Sequence, residues 1–177
     1  AYASHGDTKH VMLLPEDPKE CFEFSAMAFD LADRLQTPVF VVTDLDMGMN
    51  DWVVDELEWD DSRKFDRGKV LDFEALEKME EKFGRYHDVD GDGICYRTYP
   101  GAHPSKGAYF TRGTSHDEYA GYTEDGVKNA EMLTRLVKKF QTASSLVPSP
   151  VFNQEKNTSS MGIIYFGSTD CSMQEAL

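Results

Sequence analysis

Residues 88 to 99, DVDGDGICYRTY, carry the densest run of chemistry-bearing side chains in this sequence. Asp88, Asp90 and Asp92 followed by Gly93 match positions 1, 3, 5 and 6 of the twelve-residue loop that wraps a calcium ion in oxygen ligands, the glycine permitting a sharp turn. Position 12 of that loop needs a bidentate carboxylate, and here it is Tyr99, a phenol. Pro100 and Gly101 follow at once and oppose the exiting helix that such a loop requires. The stretch therefore reads as a surface turn rich in Asp and Gly, both natural turn formers. The alternative is a calcium-binding or scaffold module built on Asp88 to Gly93, or an adventitious cation site.

Other reactive side chains are sparse. Cys21, Cys95 and Cys171 are far apart, with no CxxC pair and no zinc or iron-sulfur spacing, so isolated thiols in a reducing compartment are expected. There is no GxSxG and no HExxH, and His5, His10, His87, His103 and His116 are scattered. SHGD at 4 to 7 lies just ahead of the first apolar run, where His5 and Asp7 could stand near a ligand. Asp44, Asp46 and Gly48 follow the second such run and could hold a metal or an amine, or be a solvated loop. Gly167 with Ser168, Thr169 or Asp170 outlines a phosphate-binding junction, with neither GxGxxG nor a Walker sequence behind it.

The elements that must position these groups follow from pattern. HVMLLP at 10 to 15 is a continuously apolar run, the mark of a strand buried on both faces. Asp17 as N-cap, Pro18 as first helical residue and Glu20 three after the cap make a capping-box start. The helix they open carries Phe22, Ala26, Phe29 and Ala32 at helical spacing, widened by Phe24, Met27, Ala28, Leu31 and Leu35. Thr37-Pro38 ends it, and VFVVTD at 39 to 44 is a second buried strand, so the unit is βαβ with parallel strands.

From 44 to 66 acidic residues alternate with Trp52, Val53, Val54, Leu57 and Trp59, which predicts an extended segment lying on a surface with its rings down. Residues 72 to 86 predict a short amphipathic helix with Phe73, Leu76, Met79 and Phe83 on one face. Residues 85 to 125 have no period and many aromatics, as expected of a connector that wraps a surface. Residues 126 to 144 predict a helix with Val127, Ala130, Leu133, Val137 and Phe140 on one side and Lys138 and Lys139 near its C-terminal end. A polar linker follows, then MGIIYFGS at 161 to 168 as a buried strand and a new helix start.

The 177 residues, 40% of them hydrophobic, suffice for one domain with a core or for pieces of two. A net charge of −14 argues against nucleic acid or an anionic membrane as partner. No apolar run approaches a bilayer span and the first ten residues lack the regions of a signal peptide, so an acidic cytoplasmic protein is the default. The first residue is not Met and the last ones fall within a predicted helix, as expected of a stretch of a longer polypeptide.

Three segments together resemble a known family. SHGDTKHVMLLPEDPKECFEFSAMAFDLADRLQTPVFVVTDLDMGMN looks like the last third of the pyrimidine-binding domain in the alpha subunit of 2-oxoacid:ferredoxin oxidoreductases. GRYHDVDGDGICYRTYPGAHPSKGAYFTRGTSHDEYAGYTEDG is similar to the long connector of the branch acting on 2-oxoglutarate. GIIYFGSTDCSMQEAL resembles the opening of the next domain, which has a transketolase C-terminal-like fold. The implied fold is α/β: residues 1–60 as the C-terminal part of a parallel-sheet thiamine-binding domain, 61–157 as an irregular connector with two amphipathic helices, and 158–177 as the start of a second α/β domain.

That resemblance implies oxidative decarboxylation of a 2-oxoacid to acyl-CoA with reduction of ferredoxin. Thiamine diphosphate with magnesium would be shared with the beta subunit, CoA would accept the acyl group, and the iron-sulfur cluster would lie in the partner chain. His5, Gly6 and Asp7 are the positions it implies for the cofactor pocket, with Asp44 and Asp46 as strand-end residues near the subunit interface; no catalytic residue and no metal ligand is assigned. The family's substrate-touching turn, its cofactor-facing glutamate and its glycine-rich loop belong upstream of the HGD element, and nothing here matches them, so this stretch alone is expected to be inactive.

Overall fold

A computed structural model describes residues 9–152 and 160–177. Two short strands, β1 (Val11–Leu13) and β2 (Val39–Val41), flank the long helix α1 (Pro18–Leu35). The strands pair in parallel with Val11 opposite Val39, Met12 opposite Phe40 and Leu13 opposite Val41. One further backbone bond, from Val42 N to Leu13 O at 2.8 Å, extends the ladder. The predicted βαβ unit is thus present.

The start of α1 has the expected chemistry. Asp17 accepts from Glu20 N at 2.7 Å, and the Glu20 carboxylate reaches back to Glu16 N at 2.8 Å, so two helix-end donors are satisfied reciprocally. At the other end Gln36 adopts a left-handed conformation (φ 51°) that turns the chain toward β2. Along α1 the core face is Phe24, Leu31 and Leu35, with Met27 and Ala28 at its margin. Phe29 stands outside it, and this outer rail receives the 50s and 60s: Trp59 meets Phe22 edge-on with centroids 6.0 Å apart, and Phe65 meets Phe29 at 6.3 Å. Arg63 pairs with Asp30 at 2.7 Å and Arg67 with Asp33 at 2.8 Å, pinning that segment along the helix. Trp59 meets the helix as predicted but stays half exposed, and Val53, Val54 and Leu57 are exposed.

The connector enters the core instead of only wrapping it. Ile94 is buried in one cluster with Val11, Leu13, Phe24, Leu31 and Leu35, joined by Ala143 from the last turn of α4 (Gly126–Ala143). Deeper in the sequence, α3 (Phe73–Lys78) starts at an Asp72 cap that accepts from Ala75 N at 2.9 Å. It covers only the first half of the helix predicted over 72 to 86. The Lys106 ammonium donates to Glu77 O at 2.8 Å and Met79 O at 3.2 Å, taking carbonyls that further turns would have used. Phe73 stacks on His103 with centroids 5.0 Å apart.

Four other expectations change. The residues after β2 form one helical turn, α2 (Leu45–Met49), where the sequence suggested a loop. Phe40 and Val42 are exposed, so β2 is not covered on both faces among the described residues. Residues 161–166 form no strand with the described residues, although α5 (Thr169–Ala176) does form after Gly167. On α4 the inward stripe runs through Met132, Leu133, Leu136, Lys139, Phe140 and Ala143, while Val127 and Val137 of the predicted apolar face point to solvent. No helix of the described residues is long and apolar enough to cross a membrane.

Candidate functional site

The carboxyl ends of parallel strands are where open α/β sheets gather ligands. Here that end is acidic and internally satisfied. Asp44, directly after β2, caps α2 by accepting from Met47 N at 3.0 Å, and its second oxygen accepts from Ser168 Oγ at 2.6 Å. Those bonds, the Ser168 hydroxyl first, hold its carboxyl below the usual carboxylate range. Asp46 accepts from the Asn50 amide. Gly167 seats the α5 junction against this end: with φ at +65°, a Cβ there would lie 3.5 Å from Asp44 Oδ2 and 3.8 Å from Pro15 O. Glu16, on the β1 side, has its carboxyl pushed up by burial and then by the neighbouring charges of Asp170, Glu20 and Asp17.

Carboxylates therefore occupy the ground that the outlined phosphate-binding junction would have offered, and α5 presents its start to Asp44. This donor set does not fit a diphosphate. The pocket residues implied by the resemblance, His5, Gly6 and Asp7, lie outside the described residues.

The Asp-rich loop has a different answer to its charge. Asp88 accepts from Asp92 N at 3.1 Å and Gly93 N at 2.9 Å, folding the loop as a cation site would. The cation is a side chain: Lys69 Nζ lies 2.6 Å from Asp90, 2.9 Å from Asp92 and 3.0 Å from Ile94 O. Burial pulls the ammonium down, and its bonds to Asp90 and Asp92 outweigh that and hold it above the ordinary lysine value. Asp90 is lowered by the same Lys69 contact. An ammonium with three oxygen partners stands where the calcium reading would put the ion, and nothing in the structure supports that reading.

What the loop does is brace. Gly93, at φ +82°, lies so close to α4 that an added Cβ would come within 2.3 Å of Lys139 N and 2.7 Å of Arg135 O. Arg135 Nη1 donates to Gly93 O at 2.9 Å and Thr142 Oγ1 to Asp92 O at 2.7 Å. Val70 and Arg97 form a parallel bridge on the other flank. Clamped on both sides, the loop delivers Ile94 to the core.

Sequence reading missed Lys69, whose partners lie more than twenty positions away. It also missed Asp33, which joins Arg97 at 2.9 Å to Arg67 at 2.8 Å and is lowered chiefly by its Arg97 hydrogen bond. Neither pairing leaves a local signal. Cys95 is buried, its thiol pushed up by that burial; Cys21 and Cys171 are free as well. Among the described residues no group of three or more His, Cys, Asp or Glu is placed to hold a metal ion.

Comparison with known proteins adds what the geometry alone does not carry. Residues 1–138 match the family described as pyruvate flavodoxin/ferredoxin oxidoreductase, thiamine diphosphate-binding. The chain is 29% identical over 183 aligned positions to the alpha subunit of 2-oxoacid:ferredoxin oxidoreductase 2 of Aeropyrum pernix, covering 99% of this chain and 26% of that protein. A corresponding alpha subunit of Sulfurisphaera tokodaii is 28% identical over 149 positions, 83% of this chain and 22% of that one. The 2-oxoglutarate synthase subunit KorA of Methanocaldococcus jannaschii is 31% identical over 111 positions, 58% of this chain and 30% of that protein. The chain spans about a quarter of the length of these curated relatives. With a parallel βαβ unit in place and the profile matched from residue 1 to residue 138, this chain belongs to the pyruvate flavodoxin/ferredoxin oxidoreductase family of thiamine diphosphate-binding domains.

Proposed function

We propose that this chain is part of the alpha subunit of a thiamine diphosphate-dependent 2-oxoacid:ferredoxin oxidoreductase, with 2-oxoglutarate as the oxoacid. The observation that carries the reading is the family match over residues 1–138, and the similarity to a 2-oxoglutarate synthase subunit supports the substrate. In this reading residues 1–60 close the pyrimidine-binding domain, 61–157 connect, and 158–177 open a transketolase C-terminal-like domain. The protein works in the cytoplasm.

The roles divide between chains. The beta subunit shares the thiamine diphosphate and its magnesium, and it or another partner carries the iron-sulfur cluster that passes electrons to ferredoxin; CoA takes the acyl group. Three separate free thiols on this chain agree with a cluster held elsewhere. The acidic strand end supplies no ligand for a diphosphate, so the described residues act by positioning: the αβ crossover, the clamped loop and the Asp44–Ser168 contact fix the sheet end that faces the partner. His5, Gly6 and Asp7 form the pocket wall on this side.

The full-length polypeptide coexpressed with its partner subunit tests this. It is expected to reduce a viologen dye only when given 2-oxoglutarate, CoA and thiamine diphosphate. Dye reduction that ignores every oxoacid would remove the assignment, and a clear preference for pyruvate would remove the substrate.

A further inference from the structure

Behind the Asp-rich loop, between the C-terminal cap of α1, residues 85–95 and α4, lies a cavity of about 230 Å³. Arg85, Arg135 and Lys139 line it, and among the described residues no Asp or Glu does. In a chain with net charge −14 this is an unusual concentration of positive charge. None of the three forms an ion pair among the described residues. Arg85 Nη2 donates to Gln36 Oε1 at 2.6 Å and Arg135 Nη1 to Gly93 O at 2.9 Å, both neutral acceptors. The Nε of each arginine is buried without a partner, and so is Nδ1 of His116 on the same wall. Lys139 is only 7% exposed, with Phe140's ring beside its ammonium and no hydrogen-bond acceptor for it among the described residues.

A buried charge left unpaired costs several kcal/mol unless something compensates it. We propose that this cavity binds a compact oxyanion of the phosphate type, held by Arg85, Arg135 and Lys139. Its size falls below the range of about 300–1,000 Å³ that accommodates drug-sized ligands, so one small polyanionic group fits better than a whole nucleotide. Guanidinium groups offer forked donors to such an oxygen cluster, and the lysine adds a point charge. The Nη groups of both arginines carry further N–H donors beyond the single bond that each makes to a neutral acceptor. Burial first, and then the Arg135 and Arg85 charges, press the Lys139 ammonium down to about 8, a cost that a bound anion would relieve.

The inference does not rest on the reaction assigned above. Its test is titration calorimetry with inorganic phosphate on the full-length polypeptide assembled with its partner, at fixed ionic strength in chloride and with thiamine diphosphate and CoA saturating. Wild type is expected to show a saturable site whose affinity falls about tenfold or more in Lys139→Met, as loss of one charge-assisted contact predicts. Lys139→Met removes an unpaired buried charge and so should melt no lower than wild type in phosphate-free buffer, which separates lost binding from lost fold. Equal phosphate titration by wild type and Lys139→Met would overturn the proposal. So would succinate binding in place of phosphate, or a Lys139→Met protein that fails to assemble while titrating normally, because a partner's carboxylate would then be the occupant.

Discussion

The two sides of residues 88–95 treat charge in opposite ways. On the outer side three aspartates face one ammonium, and every one of them is bonded: Lys69 takes Asp90 and Asp92, and Asp88 takes backbone donors. On the inner side three cations line a cavity with no carboxylate among the described residues, and none of the three makes an ion pair there. The outer side looks like an ion site in sequence and is closed by the chain's own lysine. The inner side gives no motif in sequence and is left open. Charge-rich segments advertise themselves, while unmatched charge shows only when the fold reveals what lies opposite.

The largest effect should come from forcing the two sides apart. Gly93→Ala places a methyl 2.3 Å from the α4 backbone at a φ of +82°. Strain and overpacking together should cost about 3 kcal/mol or more, read as a lowered denaturation midpoint of the full-length polypeptide; a change under about 1 kcal/mol would mean the loop does not clamp α4.

Next comes the inner side. Lys139 is held near 8 when folded against an ordinary value of 10.5, so between those values the unfolded chain binds the proton more tightly. The penalty is full below about 8 and lifts as the pH rises toward 10.5. Wild type should therefore gain about 3 kcal/mol relative to Lys139→Met across that window in phosphate-free buffer. Cys95, whose charge also acts on the ammonium, is raised by burial. Parallel pH profiles would show Lys139 to be paired.

The outer side should respond less, its groups being partly solvated. Lys69→Met leaves two aspartates and Ile94 O without a cation, at a cost of about 1–2 kcal/mol. Millimolar calcium should leave the melting temperature of wild type unchanged, since no group of described carboxylates is placed to hold it. Calcium-dependent melting of wild type would show that the lysine yields the site. Smallest is Ser168→Ala, which should let the Asp44 carboxyl rise toward the ordinary range in an NMR titration without moving the melting temperature; an unchanged Asp44 titration would mean that α5 does not dock on the strand end.

Much of the scaffold was legible because its signals are local. Asp17, Pro18 and Glu20 announce α1 within four residues, the apolar spacing of Phe73 and Leu76 announces α3, and apolar runs on either side of α1 require parallel pairing. What escaped depends on distant partners. The end of α3 is set by Lys106, the Asp-rich loop by Lys69, and the inward face of α4 by Gly93. Periodicity chose Val127 and Val137 for the core by hydrophobicity, and packing chose Lys139. The run at 161–166 is apolar enough for a strand but is not one among the described residues. For the site, Asp44 was found by its place after a strand, whereas Ser168, its partner from 124 positions away, could only be found by folding the chain.

The measurement closest to the whole account is the initial rate of viologen reduction by the assembled full-length enzyme, with and without 2-oxoglutarate, before and after calcium is removed by EGTA. A rate that requires 2-oxoglutarate and is untouched by EGTA is the predicted result. A rate that needs no oxoacid, or that collapses on calcium removal and returns when calcium is restored, would contradict it.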